Sequence, residues 1–214
     1  MALIHQTTMK PTKLELLTAW LPTRPWYRGT GEPDLTKAGG FRLDDPAGEV
    51  GIEFMVTTDT SAPTPVHYLV PLTYRGAPLP DADHALIGTS EHGVLGKRWI
   101  YDGTHDPVLI TQFLALFEGR AEAQQQSISD ALDHEVTRAY AGDGPLSMSA
   151  VAASDDQQST ELAVAPGGTL RLKRVLQPAP DGPVGLPEGA SGHVTGHWGL
   201  PDGTRARAVF AVVR

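Results

Sequence analysis

Eight histidines, 25 acidic and 17 basic residues supply most of the reactive groups in this 214-residue chain, which has no cysteine and no asparagine. Five short constellations have residue types that could do chemistry. Gly93-Val94-Leu95-Gly96-Lys97-Arg98 approaches a phosphate-binding loop, but that pattern needs Gly at position 91 and Ser or Thr at 98, where Glu91 and Arg98 stand. A turn explains these glycines better. Gly88-Thr89-Ser90-Glu91-His92 approaches a nucleophile elbow, yet His92 occupies the place where a small residue must permit the strained turn. Ser90 is then read as a strand-end serine.

His193 and His197 are four residues apart. Gly192, Gly196 and Gly199 argue for strand over helix, and strand geometry separates the two rings by about 13 Å, too far to share one metal ion. Asp130, Asp133, His134 and Glu135 form an acidic group with one imidazole, read as a solvated helix face because a hard-cation loop needs a Gly turn and more oxygens. The richest run is residues 93–107, where Lys97, Arg98, Trp99, Tyr101, Asp102, His105 and Asp106 precede a capped helix. Aromatic platforms and both charge signs there would suit a sugar, or an anion at the helix N-terminus. The competing reading makes Trp99 and Tyr101 core, Asp102 a turn residue and Asp106 a helix cap.

Without cysteine there is no disulfide framework, thiolate nucleophile or iron–sulfur cluster. Without asparagine, the catalytic-loop magnesium ligand of kinase-type phosphotransferases cannot be supplied. The net charge of −8 repels a phosphate backbone, so nucleic acid is not an expected partner. That charge is uneven: residues 1–120 sum to −4, 121–168 to −7 and 169–214 to +3. The basic C-terminal groups, Arg171, Lys173, Arg174, Arg205, Arg207 and Arg214, read as solvated strand faces or as partners for an anion or for the acidic middle segment. No apolar run approaches the roughly 18 residues of a membrane span, and the first residues lack the basic and apolar regions of a signal peptide. A cytoplasmic protein is expected.

The elements that must position these groups follow from periodicity. Thr12 and Glu15 have capping-box spacing, and the apolar run Leu14, Leu17, Leu21 then predicts a short helix ending at Pro22. Residues 50–57 and 66–75 alternate with period two, predicting two half-buried strands joined as an antiparallel hairpin by a Pro-rich loop. A third strand is expected over 84–90. Asp106, Pro107 and Gly119 bracket a helix. Residues 120–145 suggest a second helix around 129–140. Strands are expected at 146–152, 161–165, 170–176 and 193–200, and beyond a turn at 201–204. This is an α+β pattern, divided into 1–120, an acidic helical or linker segment 121–145, and a β-rich region 146–214.

The segment Trp20-Leu21-Pro22-Thr23-Arg24-Pro25-Trp26-Tyr27-Arg28-Gly29 resembles the opening of the N-terminal cap domain of actinobacterial maltokinases, with Pro25 inserted where that family reads Arg-Trp directly. Val70-Pro71-Leu72, Leu86-Ile87-Gly88, Trp99-Ile100-Tyr101-Asp102 and His105-Asp106-Pro107 follow in the family's order, so the resemblance covers roughly 12–120. It implies a cystatin-like fold, a curved antiparallel sheet packed on helices. It also implies a link to enzymes that phosphorylate maltose with ATP in trehalose and α-glucan metabolism. The catalytic His-Gly-Asp loop of those enzymes has no counterpart in these 214 residues.

The expected function is therefore a non-catalytic, cap-like accessory protein whose partner is an enzyme of α-glucan or trehalose metabolism. No catalytic residue, metal or cofactor is assigned. The alternative is a sugar- or anion-binding protein, or an unrecognised enzyme, with a site near residues 99–106. The candidate binding residues are Trp26, Arg28, His67, Arg75, His92, Lys97, Arg98, Trp99, Asp102 and His105.

Overall fold

Alternation at 50–57 and 66–75 produces β3 (Gly51–Asp59) and β4 (Val66–Arg75), joined as the expected antiparallel hairpin. The two strands are buried on both faces, not one. Met55, Leu69 and other apolar residues stand at the off-beat positions, so each face has its own core to join. The computed structural model describes residues 8–128, 131–179 and 185–214.

On one face, Ile52, Phe54, Val56 and Leu69 belong to a cluster that contains all five phenylalanines, Phe41, Phe54, Phe113, Phe117 and Phe210. Helix α2 (Pro107–Glu118) enters this cluster: Phe113 packs on Phe54 with ring centroids 4.5 Å apart. Each fully buried phenylalanine contributes about 1.5–3 kcal/mol, which makes this the main apolar store of the molecule. On the other face, Met55, Tyr68, Val70 and Leu72 meet Leu17, Trp20, Leu21 and Trp26, brought by helix α1 (Lys13–Trp20) and the turn after it. Helix α1 begins with the expected capping box between Thr12 and Glu15. Helix α2 begins with Asp106 accepting from the Val108 amide and ends at left-handed Gly119, again as the residue order implied.

The expected α+β, cystatin-like class is overturned. Strand outweighs helix, 45% to 15%, and among the described residues the α-helices are two short elements beside an extended antiparallel sheet. The sheet also contains β1 (Met9–Lys10), β2 (Leu35–Leu43), β5 (Leu86–His92), β6 (Gly96–Asp102), β7 (Gln124–Gln125), β8 (Thr137–Tyr140), β9 (Ser147–Asp155), β10 (Ser159–Ala165), β11 (Gly168–Lys173), β12 (Val175–Leu176), β13 (Gly192–Gly199) and β14 (Arg205–Val213). Several of these come from stretches whose glycines and charges read as loop or helix. In place of the helix expected around 129–140, Thr137–Tyr140 pairs with β13 as strand β8, while Ser129 and Asp130 lie outside the described residues. Leu132, Val136 and Tyr140 do recur at helical spacing, but so short an isolated stripe does not hold a helix by itself, and backbone pairing with β13 decides the conformation of Thr137–Tyr140.

The C-terminal strands extend the first sheet and close it into a ring. From β4 the path runs through β3 and β2 to β13, β14 and β11. At Arg174 the chain leaves β11, and β12 returns to β4, pairing Val175 with Tyr68 and Leu176 with His67. The junction of β2 with β13 is one bridge, Gly39 opposite Trp198. A Cβ on Gly39 would stand 3.1 Å from the Trp198 Cα, so glycine there permits the close approach of the two backbones.

Candidate functional site

The run singled out in the sequence becomes β6, a short turn and the start of α2, and its two carboxylates, Asp102 and Asp106, are buried while Lys97 stays exposed. Asp102, 2% exposed, ends β6 and accepts hydrogen bonds from the Thr104 amide at 3.1 Å and the Thr104 hydroxyl at 2.8 Å. Its other oxygen accepts from Arg174 Nη2 at 2.6 Å. Arg174 is fully buried: its Nε donates to Thr160 Oγ1 at 2.6 Å, and its guanidinium carbon lies 5.1 Å from the centre of the Trp26 ring. Trp26 Nε1 donates to Asp155 at 3.2 Å, and Asp155 also accepts from Thr160. Burial would raise the Asp102 carboxyl, but the charge and hydrogen bonds of Arg174, aided by Thr104, hold it below the ordinary carboxylate range. Trp26 and Asp102 thus converge, each bonded to a group from the C-terminal part of the chain, Asp155 and Arg174 respectively.

Arg75 grips Asp106 with two parallel bonds of 2.7 Å, while the same carboxylate accepts from the Val108 amide as the helix cap. The hydrogen bonds to Asp106 raise Arg75 above its ordinary value. His105 Nδ1 lies 3.1 Å from His84 Nε2, and burial lowers His105. Lys97 sits over the half-buried Trp99 ring at 5.0 Å. Arg98 donates to the Leu95 carbonyl, and His92 Nδ1 accepts from the amides of Val94 and Leu95. These last contacts hold the turn between β5 and β6, which is the reading the imperfect phosphate-loop pattern favoured.

Arg28 and His67 meet elsewhere. Both line a cavity of about 700 Å³ bounded by residues 64–66, 175–178 and 200–202. His67, 8% exposed, pairs through Nδ1 with Thr58 Oγ1 at 2.8 Å, and burial lowers its pKa. Arg28 is exposed and donates to the Gln157 carbonyl at 2.9 Å.

Sequence reasoning missed a further buried group. Glu53, 3% exposed, accepts from Lys13 Nζ at 2.6 Å, Tyr74 OH at 2.5 Å and Gln126 Nε2 at 3.0 Å. Burial opposes its ionisation, yet Lys13 and Tyr74 keep its carboxyl lowered. This cluster fastens α1 to the sheet, and its signal was a glutamate on the face shared by Met55 and Leu72. Two basic C-terminal residues do pair with the acidic middle segment: Arg171 with Asp156 and Glu161, and Arg205 with Glu135. His193 and His197 lie on strand β13, as the flanking glycines implied. Among the described residues, no group of three or more His, Asp or Glu side chains converges as a metal site requires. No helix of these residues is long and apolar enough to cross a membrane.

An antiparallel sheet capped by an N-terminal helix, with an aromatic-rich run leading into an Asp-capped helix, is the arrangement to set against known families. Residues 20–106 match the family model of the maltokinase N-terminal cap domain, which establishes over that segment the resemblance carried by the ordered motifs. The match ends at the Asp106 cap. It therefore includes β2 to β6 and excludes the strands that close the ring. No curated protein matches the chain.

Proposed function

We propose that this protein is a non-catalytic, cap-like accessory factor that acts on an enzyme of α-glucan, trehalose or maltose metabolism. The match over residues 20–106 carries the reading. The disposition of charge in the matched segment supports it: Asp102, Asp106 and Arg75 are committed to internal ion pairs rather than grouped around an open cleft. Affinity purification of the tagged chain from its native host, followed by mass spectrometry, is expected to recover an enzyme that phosphorylates or transfers glucosyl units. Recovery without any such enzyme overturns the proposal, as does phosphate transfer from ATP to maltose by the purified chain alone. The second reading, small-molecule binding, has its strongest support at the cavity where Arg28 and His67 meet.

A further inference from the structure

We infer that the cavity beneath Arg28 is a binding site for a small amphiphilic anion, a carboxylate carried on an unbranched or lightly branched apolar chain. The inference rests on the ligand-binding reading and is independent of any protein partner.

The walls set the body of the ligand. Pro65, Val66, Val175, Leu176, Leu200 and Pro201 present aliphatic surface around about 700 Å³, within the usual range for small-molecule sites. Apart from His67, no lining residue is aromatic. The flat ring on which a sugar stacks is missing, so the walls favour an aliphatic body over a saccharide.

The polar groups set the head. Among the described residues Arg28 forms no ion pair, and one carbonyl is its side chain's hydrogen-bond partner, so most of its five N–H donors remain available at the rim. The His67 ring lines the same space with Nδ1 held by Thr58. When the Thr58 hydroxyl donates to Nδ1, Nε2 carries the hydrogen, a second donor for an anionic head. The carboxylate on the wall, Asp202, is turned into its own loop, accepting from the amide and hydroxyl of Thr204. A guanidinium beside aliphatic walls, joined in that tautomer by an imidazole N–H, complements a carboxylate head and alkyl tail.

Isothermal titration of the full chain with hexanoate, octanoate and decanoate tests the assignment. Saturable 1:1 binding is expected, tightening about three- to fourfold with each added methylene. Arg28→Gln should weaken decanoate at least about tenfold while leaving decan-1-ol unchanged. Val66→Trp, which fills the chamber, should abolish binding of both, with an unchanged melting temperature serving as the fold control. The His67 ring resonances should move on titration of the unmodified chain. Absence of saturable carboxylate binding, equal losses for acid and alcohol in Arg28→Gln, or a response to maltose with the carboxylates silent each overturns the inference. Such a failure leaves the accessory role untouched, because the pull-down does not use this cavity.

Discussion

Arg174 and Arg28 carry the same guanidinium into opposite surroundings. Arg174 is wholly buried, bonded to Asp102, Thr104 and Thr160 and laid over Trp26. Arg28 stands exposed at the mouth of a cavity, its side chain bonded to one carbonyl. The contrast shows that residue type does not locate a site; what counts is the bonding capacity left after folding. By that measure, Asp102, Asp106 and Arg75 are committed to internal pairs, whereas Arg28 keeps donors to spare beside His67.

The largest expected effect comes from breaking the closed region. Arg174→Ala leaves Asp102 as a buried, uncompensated carboxylate and should cost about 3–5 kcal/mol in urea unfolding. The double variant Arg174→Met, Asp102→Leu should recover most of that loss, since an apolar pair needs no counter-charge. A double variant as unstable as the single one would show that the pair is not the source. Asp106→Ala removes a helix cap and strands Arg75, so a loss of about 2–3 kcal/mol is expected, with Asp106→Asn in between.

Acid separates the regions less sharply, because histidines are present in both. His67, His105 and His193 are lowered chiefly by burial, with Asp102, Asp155, His84 and Arg174 also acting on His105. The unfolded chain then binds more protons than the folded one between the lowered values and the ordinary value of about 6.5. Stability should be fully present above about pH 7 and fall on acidification, by at most about 1.4 kcal/mol per pH unit for each histidine. Urea midpoints at pH 7.5, 6.5 and 5.5 test this, and a flat profile contradicts it. The smallest effect belongs to the open region: Arg28→Gln should change stability by less than about 0.5 kcal/mol, as measured by thermal unfolding. A larger loss would place Arg28 with Arg174 among the structural residues.

Local signals in the sequence were sufficient for local features. The Thr12–Glu15 box, the Asp106–Gly119 brackets around α2 and the alternation of β3 and β4 all became the elements they implied. Features built from distant residues left no local mark. Arg174 reaches Asp102 across 72 positions, and Arg28 reaches Gln157 across 129. No element was expected over strand β2, whose Gly39 and Gly40 interrupt any alternation, although glycine at 39 is what lets β13 approach. The helix expected near 129–140 failed for a related reason, since Thr137–Tyr140 takes its conformation from β13, more than 50 residues downstream. Of the candidate binding residues, only Arg28 and His67 share the cavity, which has walls from both ends of the chain.

The ring also has a history during synthesis. Strands β2 to β6 are made before the strands that close the ring; β7 then covers β2 at Phe41 and Arg42, while the edge at Gly39 and the first half of β4 wait unpaired until β13 and β12 are made. Unpaired edges are templates for other chains. A premature stop before residue 175 should therefore yield a nascent chain that seeks a neighbour's strand, so that loss of the last 40 residues appears as insoluble protein rather than as a smaller folded one.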